Sequence, residues 1–109
     1  MKARSLSELL RLPVRTRGIV LARPVDAVVD EAHKLVGFEV VSRDGAHRFL
    51  PLAAADVRDD ELAVSSALVF LEEREIAYYR RHTRPLRSLG FADPWLGEDG
   101  TVEDAVPAA

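Results

Sequence analysis

From Ile19 to Asp30 the chain reads IVLARPVDAVVD, small and β-branched apolar residues interrupted by Arg23, Asp26 and Asp30. Alternation of this kind predicts one long strand, entered through a turn at Gly18. An uninterrupted period of two puts Leu21, Val25, Ala27 and Val29 on a core face and Val20, Ala22, Asp26, Val28 and Asp30 on the other. Pro24 has no N–H to give to a ladder, so the strand should bend there or run along an edge. Upstream, Ser5 and Glu8 have capping-box spacing ahead of Leu9 and Leu10, which predicts a short helical turn. Pro13 then favours extended backbone, and Val14 to Arg17 reads as a short first strand.

After a turn over Glu31 to Lys34, the segment Leu35 to Ser42 is apolar and β-branched, and Asp44-Gly45 signals a hairpin returning through Ala46 to Leu50. A two-residue turn there sets Val40 opposite Phe49 and Glu39 opposite Leu50, with Phe38, Val40 and Phe49 sharing the core face. Pro51 ends the return strand, and Leu52 to Val57 is an alanine-rich connector with room for one helical turn. Two short strands, Glu61 to Ser65 and Leu68 to Leu71, are expected next. Glu72 to His82 reads as a helix, with glutamates in its first turn and Arg80, Arg81 and His82 in its last, the order that suits the helix dipole. Ile76 and Tyr79 are then its sheet-facing residues. Arg84, Leu86 and Leu89 repeat the spacing of Arg4, Leu6 and Leu9.

These elements resemble the PRC-barrel family. The matching residues are SELLRLPV (Ser7 to Val14), Gly18, Leu21, Val25, Asp26 and Asp30, the Val36-Gly37 strand, Phe49-Leu50-Pro51 and the strand Leu62 to Val64. That family is named for the photosynthetic reaction centre H subunit and shares its fold with the C-terminal domain of the ribosome maturation factor RimM. The resemblance implies a small barrel used for assembly or docking, often dimeric, with no common catalytic residue. Together the pattern and the resemblance predict a mainly β fold, a small antiparallel β-barrel of about six strands with one C-terminal α-helix. Residues 1–90 would form the domain and residues 91–109 an acidic, flexible tail.

Charge sharpens this division. Residues 1–90 hold all 15 Lys and Arg against 13 acids, a balance of +2, whereas residues 91–109 hold five acids and no base. A body so close to neutral lacks the footprint of a general nucleic-acid binder. The 109 residues contain no cysteine, which excludes a disulfide scaffold and a cysteine-ligated metal. Neither a signal-peptide core nor a membrane-spanning run is present, and a cytoplasmic protein is expected. Many arginines and alanines hint at a bacterial, GC-rich source.

Asp26, Asp30 and Glu31 supply too few oxygens from one strand for a divalent ion and read as solvated or turn-capping groups. His33, His47 and His82 lack metal-binding spacing, and no nucleophile elbow or phosphate loop occurs, so neither enzyme nor cofactor is expected. Tyr78, Arg80, Arg81, Arg84 and Arg87 form the one concentrated basic and aromatic stretch and are the candidate partner-contact residues. The expected function is a non-enzymatic protein-interaction module. The alternative is an RNA- or ribosome-associated factor using the same stretch. Val20, Val28, Val69 and Phe70 are candidates for a homodimer face, because a small barrel cannot bury both sides of its strands unless the C-terminal helix or a second subunit covers one.

Overall fold

A computed structural model describes residues 1–71 and 73–103, with Glu73, Arg74, Tyr78 and Tyr79 described by backbone alone. In chain order its elements are β1 (Arg4–Ser5), α1 (Leu6–Leu10), β2 (Val14–Thr16), β3 (Ile19–Asp30), β4 (Leu35–Ser42), β5 (His47–Pro51), β6 (Asp56–Val57), β7 (Leu62–Ala63), α2 (Glu73–Arg80), β8 (Thr83–Pro85), β9 (Trp95–Leu96) and β10 (Val102–Glu103). Short 3₁₀ turns occupy Leu52–Ala54, Ala67–Val69 and Leu86–Leu89. The fold is mainly β, as the alternation predicted.

The larger sheet has the order β5-β4-β3-β2-β7-β6. β3 is its spine. One edge of β3 pairs with β4 along most of its length, while the other is shared by β2 near its start and β8 near its end. The turn before β3 is a two-residue hairpin in which Arg17 and Gly18 take φ of 51° and 80°, the geometry of a type I′ turn. The sheet does not close: its terminal strands, β5 and β6, are not paired with each other. The expected closed barrel is therefore corrected to an open sheet. Closure needs tilted strands paired on both sides, and β6 and β7 have two residues each. The expected strand Leu68 to Leu71 is likewise a 3₁₀ turn followed by a bridge from Leu71 to Phe49 on the outer edge of β5.

Register changes at Pro24 decide which side chains enter the core. Pro24 lies opposite Val40 and Asp26 opposite Glu39, so Val25 is the extra residue of a β-bulge. Parity flips there. Ala22 and Pro24 are buried before the bulge and Ala27 and Val29 after it, while Leu21 and Val25 are only half-buried. The β4–β5 hairpin also differs by one residue from expectation. Gly45 alone in its turn has positive φ, 84°, and Ser42 donates its N–H to Ala46, which makes a three-residue loop with a glycine bulge. Glu39 thus faces Phe49 and Phe38 faces Leu50. Phe38, Val40 and Leu50 fill the main core, and Phe49 is buried as expected, at 3% exposure, but on the opposite face of the sheet.

The C-terminal segment is part of the body. β9 lies between β1 and β10 in a second, three-stranded sheet, and Leu96 is fully buried with Pro94. Ser7 donates its backbone N–H and its hydroxyl to the two carboxylate oxygens of Asp93 at 3.1 and 2.9 Å. Residues 91–103 therefore close over the N-terminal turn rather than forming a flexible tail, and residues 104–109 lie outside the described residues. The tail's apolar residues, Trp95, Leu96 and Val102, find their partners on β1 and the β3–β4 turn. Core positions from α1 (Leu9), β2 (Val14), β3, β4, β5, β7 (Leu62) and the C-terminal segment form one cluster.

Candidate functional site

α2 ends at Arg80, a cation in the last turn where the helix dipole favours one. Pro85 keeps Arg84 extended, and the three residues of β8 lie antiparallel to the end of β3, with Val28 opposite Pro85 and Asp30 opposite Thr83. Leu86, fully buried, pins the following 3₁₀ turn, which ends at Gly90 in the left-handed conformation. The basic stretch thereby runs alongside the end of β3 as part of the sheet.

Between α2 and the outer face of the sheet lies a groove of about 440 Å³. Val28, Phe49, Ile76 and Pro85 make its apolar floor, and Glu39, His47, Arg48 and Arg80 its rim. His47 Nδ1 lies 3.2 Å from Glu39 Oε1. Gly37 makes the floor possible: a Cβ there would overlap the Phe49 ring and stand 2.5 Å from the Leu50 carbonyl oxygen. Arg80 is a shared wall, because it also lines a neighbouring cavity of about 390 Å³ with Asp30, Glu31, His33, Arg81 and Arg84. Asp30 caps the β3–β4 turn, accepting from the N–H groups of Ala32 and Lys34 at 2.9 and 3.0 Å.

Asp26 is buried beside this stretch. Its Oδ1 accepts from the Ala27 N–H at 2.8 Å and the Arg87 N–H at 3.4 Å. Burial pushes its carboxyl above the ordinary aspartate value, and nearby Glu39 pushes the same way. The two N–H donors and the Arg87 charge oppose the shift without cancelling it.

Of the candidate contact residues, Arg80, Arg81 and Arg84 are brought together around the second cavity, all exposed. Arg87 sits in the next turn on Asp26, and the side chain of Tyr78, like that of Tyr79, lies outside the described residues. The candidate dimer residues are placed apart. Val28 is in the groove floor, Val20 and Val69 are half-buried, and Phe70 lines a cavity at the hairpin tip with Leu21 and the 93% exposed Leu68. Sequence reasoning missed Phe49, Glu39 and His47 as groove residues, because the one-residue register difference assigns Phe49 to the core. The Arg43-Asp44-Gly45 triplet, a natural three-residue loop, was the available signal.

Compared with known proteins, the chain matches no family model, no curated protein and no solved structure. Among the described residues no cluster of His, Asp and Glu is arranged to hold a metal ion, and no helix is long and apolar enough to cross a membrane. The groove is an apolar floor ringed by charged side chains.

Proposed function

We propose that this chain is a non-enzymatic protein-docking module whose contact surface is the outer face of the sheet framed by α2 and β8. The observation that carries this reading is the groove itself, an apolar floor edged by Arg80 and continued by the exposed Arg81 and Arg84. Fully desolvated apolar pockets beside arginines are where binding energy concentrates in protein interfaces. The resemblance to the PRC-barrel family supports the same reading, since such domains serve assembly.

Affinity capture from native lysate, with and without nuclease, tests it. A protein retained after nuclease, and lost when Tyr78, Arg81 and Arg84 are replaced by alanine at unchanged thermal stability, is the expected result. A large stability loss in that variant would make these residues structural. The second reading is an RNA-associated factor, favoured by the Arg80, Arg81 and Arg84 cluster and by the RimM side of the resemblance. Phosphate contacts release counterions, so its signature is affinity that falls steeply from low to moderate salt.

A further inference from the structure

At the end of the larger sheet where β3 begins, the β2–β3 turn and the β4–β5 loop lie side by side, since Ala22 pairs with Ser42 and Arg23 with Val41. Arg15, Arg17, Arg23 and Arg43 all belong to this end. Among the described residues the side chains of these four make no hydrogen bond or ion pair, whereas Arg4, Arg48 and Arg58 each meet a carboxylate. Three acids line the two cavities found there. Asp44 lies 3.7 Å from Arg48, Glu61 lies 4.0 Å from Arg58, and Glu75 is not free either. The acids of the C-terminal segment are distant. That segment meets the β3–β4 turn through Lys34 and Thr101, at the far end of a twelve-residue strand, roughly 35 Å away at about 3.3 Å per residue. The net charge of −3 therefore does not describe this end of the molecule.

Two of the three large apolar side chains left exposed among the described residues stand here as well. Ile19 is 56% exposed at the start of β3, and Leu68 is 93% exposed in the cavity that Arg43 also lines. Single aliphatic tips on separate elements give a protein partner no packed, shape-complementary centre, and they cannot stack on bases. A fluid anionic surface needs neither. We propose that this end of the sheet is a peripheral contact for an anionic phospholipid surface. The four arginines lie against the headgroup phosphates and carboxylates, and the tips of Ile19 and Leu68 enter the headgroup layer without crossing it. The contact is separate from the docking reading and needs none of its residues.

The test sediments the full chain with sucrose-loaded vesicles of phosphatidylcholine, alone or with about one third phosphatidylserine. Binding should require phosphatidylserine and should fall as salt screens the arginines. The variant Arg17→Asn/Arg23→Gln/Arg43→Gln neutralises three exposed positions, and asparagine suits the left-handed turn at residue 17. It should melt where the wild type does and bind at least about tenfold more weakly. Ile19→Ser/Leu68→Ser should weaken binding severalfold. With spin-labelled lipid in the vesicles, the amide signals of Gly18, Ile19 and Leu68 in the wild type should broaden before any others. Equal binding to phosphatidylcholine alone, no binding to either vesicle, displacement by stoichiometric oligouridine, or loss of binding in Arg81→Gln/Arg84→Gln but not in the triple variant would overturn the inference.

Discussion

Gly37 and Phe49 are one decision made by two residues. The glycine lets the aromatic ring lie flat on the strand and become the groove floor. Gly37→Ala forces a methyl against the ring and the Leu50 backbone, and an overpacking cost of about 1–3 kcal/mol is expected. A thermal melt checks it. At Gly45, where the space is open, alanine suffers only from the positive φ and should cost about 1 kcal/mol. Asp26 gives a pH signature of opposite sign to a paired carboxylate. Its folded-state pKa is raised, so its burial penalty is absent below the unfolded aspartate value and fully present once the pH exceeds the folded-state value. Asp26→Asn keeps an oxygen acceptor for the Arg87 N–H and removes that penalty. The variant should therefore match or exceed wild-type stability at neutral pH, and its advantage should shrink as pH falls through the folded-state pKa in denaturant titrations. At residue scale the turn-capping role of Asp30 was legible. The burial of Asp26 was not: the two aspartates look alike in the alternation, and Asp26 meets the Arg87 N–H only once the chain returns past β8.

At the scale of elements, much was legible and the exceptions have physical causes. The bounds of β3 and β4 and the Ser5 cap follow from the sequence, and Ser5 Oγ does accept from the Glu8 N–H at 3.3 Å. Ser5→Ala should cost about 1 kcal/mol. The helix expected over residues 72–82 spans Glu73–Arg80. Period-two reading failed where an extra residue entered, once at Val25 and once in the Arg43 to Gly45 loop, because a single insertion exchanges the two faces of a strand. The two R-x-L-x-x-L stretches fall on β1 with α1 and on β8 with its 3₁₀ turn, and α1, β8 and that turn all pack on β3. Their lead arginines diverge: Arg4 is 5% exposed and reaches the Arg58 carbonyl and Asp59, whereas Arg84 is exposed at the candidate site.

For the whole molecule, charge and composition suggested a boundary at residue 90 that packing does not respect. Leu96 is fully buried from beyond it, so Leu96→Ala should cost about 2–5 kcal/mol and should shift the melting of the entire domain. Acidic residues made this segment look solvated, yet Asp93 is the clamp on Ser7 and Asp99 accepts the Thr101 N–H, which holds its carboxyl below the ordinary aspartate value. Val28, one of the residues expected on a dimer face, is 9% exposed and lines the groove with Ile76 and Pro85. Among the described residues Ile19, Leu68 and Trp95 are the large apolar side chains left exposed, placed apart on β3, a 3₁₀ turn and β9, so light scattering at micromolar concentration should give a monomer; a dimer dissociated by Leu68→Glu would place an interface at Leu68. The central claim is that the groove under α2 is the working surface. Nuclease-treated lysate capture by the wild type and by Arg80→Glu/Arg84→Glu, matched for melting temperature, tests it most directly. The account predicts a protein retained by the wild type and lost from the variant, and the same set retained by both would contradict it.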